Sequence, residues 1–405
     1  MRVLIAGIDG YLGWTLAQYL VDTGHEVAGI DNYSRRSWVA EMDSWSAIPI
    51  APMSERLQGF HERYREKLTF YEGDLQDYSL VEKVFNEFEP NAVVHLGECP
   101  SAPYSMIDRD HAVYVQTNNI NSTFNLIFAI KDHSPETHLV KLGTMGEYGT
   151  PNTDIPEGFF DVEYRGRRDR FPYPRQAPSW YHWSKVHGSN NIMFACKTLG
   201  ISATDIMQGV VFGTQIEQMG DDPRLSTRLD FDQAFGTAIN RFACQAVIEH
   251  PLTPYGKGSQ QRGFIPLRES MKCLKLAIEN PAAMGEYRVF NQFAEFHSID
   301  GLARTVQHVA SGLGLDVEVK NLENPRMELE EHYYNPDHSK LRELGYTPTQ
   351  SVEDEVRILL SDLIPQRDRI EEKKRSLLPD VQWGGYRRRS GYLSDIEAQA
   401  AGGQS

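Results

Sequence analysis

Val3-Leu4-Ile5-Ala6-Gly7-Ile8-Asp9-Gly10-Tyr11-Leu12-Gly13 decides how the first half of the chain is read. Its first four residues form a continuous apolar run, the pattern of a parallel strand covered on both faces. Gly7, Gly10 and Gly13 follow at three-residue spacing. A helical pattern then runs through Leu16, Leu20 and Val21 and stops at Gly24. Glycines at such a turn let the backbone bend tightly and approach a pyrophosphate on the helix N-terminus. The next strand, Val27-Ala28-Gly29-Ile30, ends at Asp31, where an acid can bind an adenosine ribose.

This predicts a dinucleotide site built on Gly7, Gly10, Tyr11, Leu12, Gly13, Asp31 and Asn32. A carboxylate at Asp31 repels the extra phosphate of NADP, so NAD is the expected cofactor. Arg35 and Arg36 stand nearby and are the residue type that accepts that phosphate. Residues 32–67 are longer than an ordinary connection, and Trp38 and Trp45 suggest an ordered excursion.

Strand and helix then alternate. The strand Leu68–Tyr71 leads to Gly73-Asp74-Leu75, where Asp74 is a candidate for the adenine ring. A helix near 78–88 precedes the strand Ala92–Leu96 and Gly97, and a long helix over 111–132 precedes the strand Leu139–Leu142. The pattern is α/β, a doubly wound parallel sheet of Rossmann type, with ligands at the carboxyl ends of its strands. Residues 1–206 are assigned to this domain, insertion included. Residues 207–380 are assigned mainly to a smaller mixed α/β substrate lobe, with some segments free to return to the first. Helices are expected over 231–248, 268–280, 298–312 and 353–376, and 384–405 reads as a surface or disordered tail.

At 405 residues and a net charge of -15, the chain lacks the clustered Lys and Arg that nucleic acid requires. Four widely spaced cysteines exclude a disulfide framework and a cysteine metal site and suit the cytoplasm. No metal is expected, and no apolar run is long enough to span a membrane.

Ser179-Trp180-Tyr181-His182-Trp183-Ser184-Lys185 carries the chemistry. Tyr and Lys four apart share a helix face, and an ammonium beside a phenol lowers its pKa. Tyr181 is thereby expected to be a general base for an alcohol whose hydride leaves, with Lys185 beside it. Thr144, at a strand end, can hydrogen-bond the same oxygen.

The assembled set resembles the extended short-chain dehydrogenase/reductase superfamily, which acts largely on nucleotide sugars. Longer blocks resemble one of its families, the UDP-sulfoquinovose synthases. These include Ser101-Ala102-Pro103-Tyr104-Ser105-Met106-Ile107-Asp108-Arg109, Lys141 to Asn152, Tyr181 to His187, Gln208 to Gly213 and Glu331 to Asn335. The resemblance implies oxidation of UDP-glucose at C4 by tightly bound, recycled NAD, with Tyr181 taking the 4-hydroxyl proton. Loss of water across C5–C6, sulfite addition at C6 and return of the hydride would follow. It implies a homodimer built through two helices of each partner. Leu75, Leu96, Gly97 and Asn118 are implied on the cofactor, with Tyr181 and Lys185. Ser101, Tyr104, Arg109, Thr144, Gly146, Glu147 and Tyr148 are implied on the substrate. So are Gln208, Arg241, Tyr255 and Tyr334, with Arg262 and Arg326 for the diphosphate.

Two departures matter. Related 4,6-dehydratases carry Thr-Asp-Glu where this chain has Thr144-Met145-Gly146, so proton handling at C5 and C6 falls to His182, Glu147 or Cys99, with His182 favoured as acid, base or cation. Plant members carry Gln-Arg where this chain has Cys99-Pro100. A sulfite-independent 4-epimerase or dehydratase, and an NAD-binding regulator without catalysis, are the alternatives.

Overall fold

The computed structural model of the chain describes residues 1–65, 68–326 and 333–382. The tail expected at 384–405 and the Glu331-His332 end of one family block lie outside the described residues.

Alternation along the first strand builds the two layers. In β1 (Arg2–Ala6), Val3 and Ile5 face one helix layer while Leu4 and Ala6 face the other. Six strands follow it into one parallel sheet: β2 (Glu26–Asp31), β3 (Thr69–Glu72), β4 (Ala92–His95), β5 (His138–Thr144), β8 (Ser202–Gln208) and β11 (Tyr287–Gln292). Their order is β11-β8-β5-β4-β1-β2-β3, and every neighbouring pair is parallel. On the Val3 side pack α1 (Tyr11–Asp22), α3 (Met53–Tyr64) and α8 (Leu267–Glu279). On the Leu4 side pack α4 (Tyr78–Phe88), α5 (Arg109–His133) and α6 (Trp180–Leu199).

The insertion after β2 is ordered. It forms α2 (Ser34–Glu41) and α3, and its indoles bond distant parts of the chain: Trp38 Nε1 donates to the Tyr114 hydroxyl and Trp45 Nε1 to the Arg369 carbonyl. An exposed hairpin, β6 (Phe159–Tyr164) and β7 (Arg167–Pro172), turns at Arg165 and Gly166 and carries the local basic cluster.

The smaller lobe has its own core. Here α7 (Ala238–Val247), α9 (Ile299–Gly312) and α11 (Val352–Leu363) pack Phe242, Val306 and Leu359 together. They lie beside a three-stranded sheet of β9 (Val210–Phe212), β10 (Gln261–Pro266) and β12 (Glu295–Ser298). Short helices α10 (Ser339–Glu343) and α12 (Arg367–Glu372) complete the described set.

Two expected helices change their bounds, and one segment returns to the first lobe as the expectation allowed. The helix expected from 231 starts only at Ala238, because Asp232 accepts the Ala234 and Phe235 amides in a turn and Thr237 caps the helix. The helix over 353–376 breaks at Ile364–Gln366, where Pro365 cannot continue the ladder. The segment Tyr287–Gln292 returns to the large sheet beside β8 and does not stay with the smaller lobe.

Under the end of β5 lies a buried ionic cluster. Lys141, fully buried, stands 3.7 Å from Glu147 and 3.6 Å from Asp205, its cross-strand partner. Ser189 and Tyr287 donate to Asp205, and Arg175 approaches Glu147 at 3.7 Å. Lys141→Met keeps the apolar stem and deletes the charge. It should cost about 3 kcal/mol, the usual penalty for stranding a buried partner, read as a lower urea midpoint. An unchanged midpoint would remove any net stabilising role for the cluster.

Candidate active site

The carboxyl ends of β1, β2, β4 and β5 open into one cavity of about 950 Å³, where the strand order diverges from β1. At the β1–α1 turn a Cβ on Gly13 would lie 2.2 Å from the Gly7 carbonyl oxygen. One on Gly7 would lie 2.7 Å from the Gly97 nitrogen, and Gly7 has φ +93°. Only glycine fits there, and the bare backbone leaves the start of α1 open to an anion.

Asp31 lines the cavity and accepts the amides of Asp9 at 2.8 Å and Tyr33 at 2.7 Å. Burial and then the neighbouring Asp9 carboxylate raise its pKa to about 6. Asn32, Asp74, Leu75, Leu96, Gly97 and Asn118 share this end of the cavity. Asn32 donates to Asp74 at 2.9 Å. The glycine cradle, the aimed carboxylate and the open helix start fit an adenine dinucleotide.

The Ser179–Lys185 stretch arrives on α6. Ser179 caps the helix and bonds the His182 ring at Nδ1 (2.8 Å), while Ser105 Oγ accepts the Tyr181 amide at 3.0 Å. Tyr181, His182, Lys185 and Thr144 all line the cavity. Thr144 Oγ1 accepts the Gly146 amide at 3.1 Å, which leaves the hydroxyl proton for a ligand oxygen.

The expected lowering of the Tyr181 pKa is not found. Burial, then the charge of Glu98, pushes the phenol well up. The Lys185 ammonium is itself bound: it donates to Glu98 and, at 2.7 Å, to the Leu142 carbonyl. Glu98 is held below its ordinary pKa by Lys185 against the opposing effect of burial. Glu98 lines the cavity, and among the described residues its buried Oε1 has no hydrogen-bond partner.

Burial, then Arg326 and Arg262, depress the His182 pKa to about 3. The ring is neutral at physiological pH, which removes the expectation that it serves as a cation. A Cβ on Gly146 would lie 2.4 Å from His182 Nε2. The histidine therefore occupies the space a dehydratase-like acid at position 146 would need. The other proton-handling candidates do not reach the cavity. Glu147 is buried in the ionic cluster, and burial pushes the Cys99 thiol up to about 12.

Gln208, Arg262, Arg326, Tyr334 and Gly146 line the cavity, as do Tyr11, Leu12, Gly10 and Arg35. Others among the sequence candidates do not line it. Arg36 is clamped by Asp9, and Arg109 projects into solvent beside Asp110. Ser101 donates to the Ala234 carbonyl, Tyr104 to Glu41, and Tyr148 to Asn291. Arg241 lies buried against Tyr255 and the Leu377 carbonyl. These residues support the walls from behind.

Sequence reasoning missed Glu98, Arg175, Ser179 and Asp230 as lining residues. Glu98 had a signal, an acid just past the carboxyl end of β4. Asp230 had none, because it reaches the cavity from the second half of the chain to pair with Arg35 at 2.8 Å.

Residues 3–291 match the model described as the NAD dependent epimerase/dehydratase family. The chain is 47% identical over 382 residues to the chloroplastic UDP-sulfoquinovose synthase of Spinacia oleracea, covering 94% of this chain and 79% of that protein. It is 45% identical over 384 residues to the UDP-sulfoquinovose synthase of Sulfolobus acidocaldarius, covering 95% and 98%. The fold matches that of the UDP-glucose 4-epimerase of Thermotoga maritima at TM-score 0.67 and 17% identity, over 89% of this chain and 98% of that one. That of the Thermus thermophilus UDP-glucose 4-epimerase, solved with NAD, gives 0.63 at 21% identity, over 90% and 99%. The chain belongs to the NAD dependent epimerase/dehydratase family and, within it, to the UDP-sulfoquinovose synthases.

With Asp31 titrating near 6, NAD affinity should be flat above that pH. A ribose hydroxyl favours the ionised carboxylate, so protonation competes below it, weakening binding by up to about tenfold per pH unit. Equilibrium titrations from pH 8 to 5 test this, and Asp31→Asn should remove the slope. A slope that persists in Asp31→Asn would assign it to another group.

Proposed function

We propose that the chain converts UDP-glucose and sulfite to UDP-sulfoquinovose and water. The observation that carries the reading is identity with two such synthases along almost the whole chain. It coincides with one cavity that holds the glycine turn, Thr144, Tyr181, His182 and Lys185 together. When bound, NAD would accept hydride from C4 of the sugar and return it there, so it would stay bound and recycle.

Tyr181 would take the 4-hydroxyl proton while Thr144 donates to the same oxygen. The raised phenol pKa means Tyr181 rests protonated. Ligand hydroxyls that bond Glu98 and Lys185 would loosen their mutual hold and return the ammonium's influence to the phenol. A ketone at C4 acidifies the C5 proton. Neutral His182, fixed through Ser179, is the group we assign to that proton and to the hydroxyl leaving C6. Sulfite would then add at C6, opening the C5–C6 double bond toward the C4 ketone, and C5 would take up the proton that bisulfite brings. Pro100 lines the cavity where plant members carry arginine. Among the described residues, the cationic side chains in the wall are Arg35, Arg175, Lys185, Arg262 and Arg326. Arg262 and Arg326 are assigned to the diphosphate, which planar guanidinium groups bind in bidentate fashion.

We further propose a homodimer. Val113, Phe124 and Phe128 form an exposed apolar stripe on α5, and Trp180, Trp183 and Phe194 form another on the neighbouring α6. Such stripes suit a four-helix interface between two copies. The four free cysteines suit the cytoplasm.

The decisive assay incubates the protein with UDP-glucose, with and without sulfite, and follows the nucleotide sugar by mass spectrometry. A sulfonated product that needs sulfite is expected, with Tyr181→Phe slowing it by about 10² or more. A dehydrated or epimerised product indifferent to sulfite would overturn the assignment. For the dimer, Phe194→Glu should halve the mass measured by sedimentation, and an unchanged mass would place the interface elsewhere.

A further inference from the structure

Two carboxylates meet at the ribose end of the cavity, and only one of them faces it. Asp31 lines the cavity, whereas Asp9, one residue before Gly10, is buried behind it. The Asp9 carboxylate is held by two arginines from the insertion. Arg36 grips both oxygens, Nε to Oδ2 and Nη2 to Oδ1, each at 2.7 Å. Arg56, fully buried and 3.9 Å above the Trp14 ring, adds Nη1 to Oδ1 at 2.6 Å.

This arrangement matters because Arg36 is only five residues past Asp31, in the first turn of α2. An arginine near that acid is the group that accommodates the 2′-phosphate of NADP. Its side chain is 32% exposed; Nη2 also reaches the Ala51 carbonyl at 3.3 Å and the guanidinium lies 5.6 Å from the Tyr33 ring centroid, but the two short charge-assisted bonds to Asp9 are the strongest that hold its direction. The other arginine, Arg35, is likewise taken: Nε bonds Asp230 at 2.8 Å and the guanidinium lies 4.3 Å from the Phe235 ring centroid.

We propose that Asp9 is a positioning residue for cofactor choice: by clamping Arg36 it denies NADP the cation its 2′-phosphate would need. Selection for NAD thus has two parts, repulsion by Asp31 and withdrawal of Arg36 by Asp9. The proposal rests on NAD as the resident cofactor. If the unmodified chain binds no NAD, that reading fails and the clamp is not the cause.

The test titrates NADP against the NAD-loaded full chain and quantifies released NAD, giving the ratio of the two affinities. Thermal melts accompany every variant. Asp31→Ser alone should shift the ratio toward NADP by less than tenfold, because Arg36 stays on Asp9. Adding Asp9→Asn should shift it at least another tenfold, and Arg36→Gln in that double variant should reverse the gain. Restoring a carboxylate with Asp9→Glu should also reverse it. A folded double variant with no gain over Asp31→Ser would overturn the proposal.

A second arm leaves Asp9 intact and covers the case where Asp9→Asn does not fold. Arg36→Gln in the Asp31→Ser background should leave NADP affinity unchanged within twofold. A tenfold loss there would show that Arg36 already reaches the phosphate, and the clamp would be rejected.

Discussion

At the turn between β1 and α1 the backbone folds so closely on itself that Gly13 has no room for a Cβ beside the Gly7 carbonyl. The same turn rests on the end of β4, because Gly7 also abuts Gly97. Two strand ends and one helix start are therefore held together by close packing and by backbone bonds, from the Leu96 amide to the Ala6 carbonyl at 2.8 Å and from the Trp14 amide to the Gly10 carbonyl at 3.2 Å. The rest of the molecule is anchored to that helix. Trp14 donates to the Leu225 carbonyl, Tyr11 to the Gly213 carbonyl, and Thr227 donates to the Tyr11 carbonyl. A turn read as a cofactor device is thus also one of the joints through which the second half of the chain is attached, beside the strands β8 and β11.

Around this joint, charge is buried in ion-paired groups. Lys141, Glu147, Asp205 and Arg175 sit beneath Thr144, and Glu147 accepts the Thr144 amide at 3.3 Å. That contact fixes the short turn over Met145–Tyr148 on which the Thr144 hydroxyl is presented. Asp9 with Arg36 and Arg56, and Asp230 with Arg35 and Arg228, form two further groups at the other end of the cavity. Buried charges of this kind contribute less to stability than to geometry, since their mutual attraction mainly offsets desolvation. Here the geometry they hold is the wall of the site.

The Lys185–Glu98 pair shows why tertiary contacts changed the chemistry inferred from spacing. Tyr181 and Lys185 do share a helix face, as their four-residue separation requires. The strand end that passes them supplies a carboxylate, and the ammonium binds that instead of acting on the phenol. His182 is similar: its sequence position beside Tyr181 holds, but burial near Arg262 and Arg326 makes it neutral.

Local patterns were sufficient for the parallel sheet, the glycine turn, the acid at Asp31 and the helix bearing Tyr181 and Lys185. Each depends on residues within one or two turns or strands, and steric or periodic rules act at that range. The same range limits the reading. Arg36, Arg109 and Arg241 looked alike in the sequence as cations near motifs, yet one is clamped, one faces solvent and one supports a wall. Glu98, Asp230 and Arg175 reach the cavity from segments far apart in the chain. The sequence by itself determined which chemical groups the protein possesses and which strand ends carry them. Only the tertiary structure decided which charges neutralise one another and which remain open to a ligand, because a carboxylate and a cation find each other through space and not along the chain.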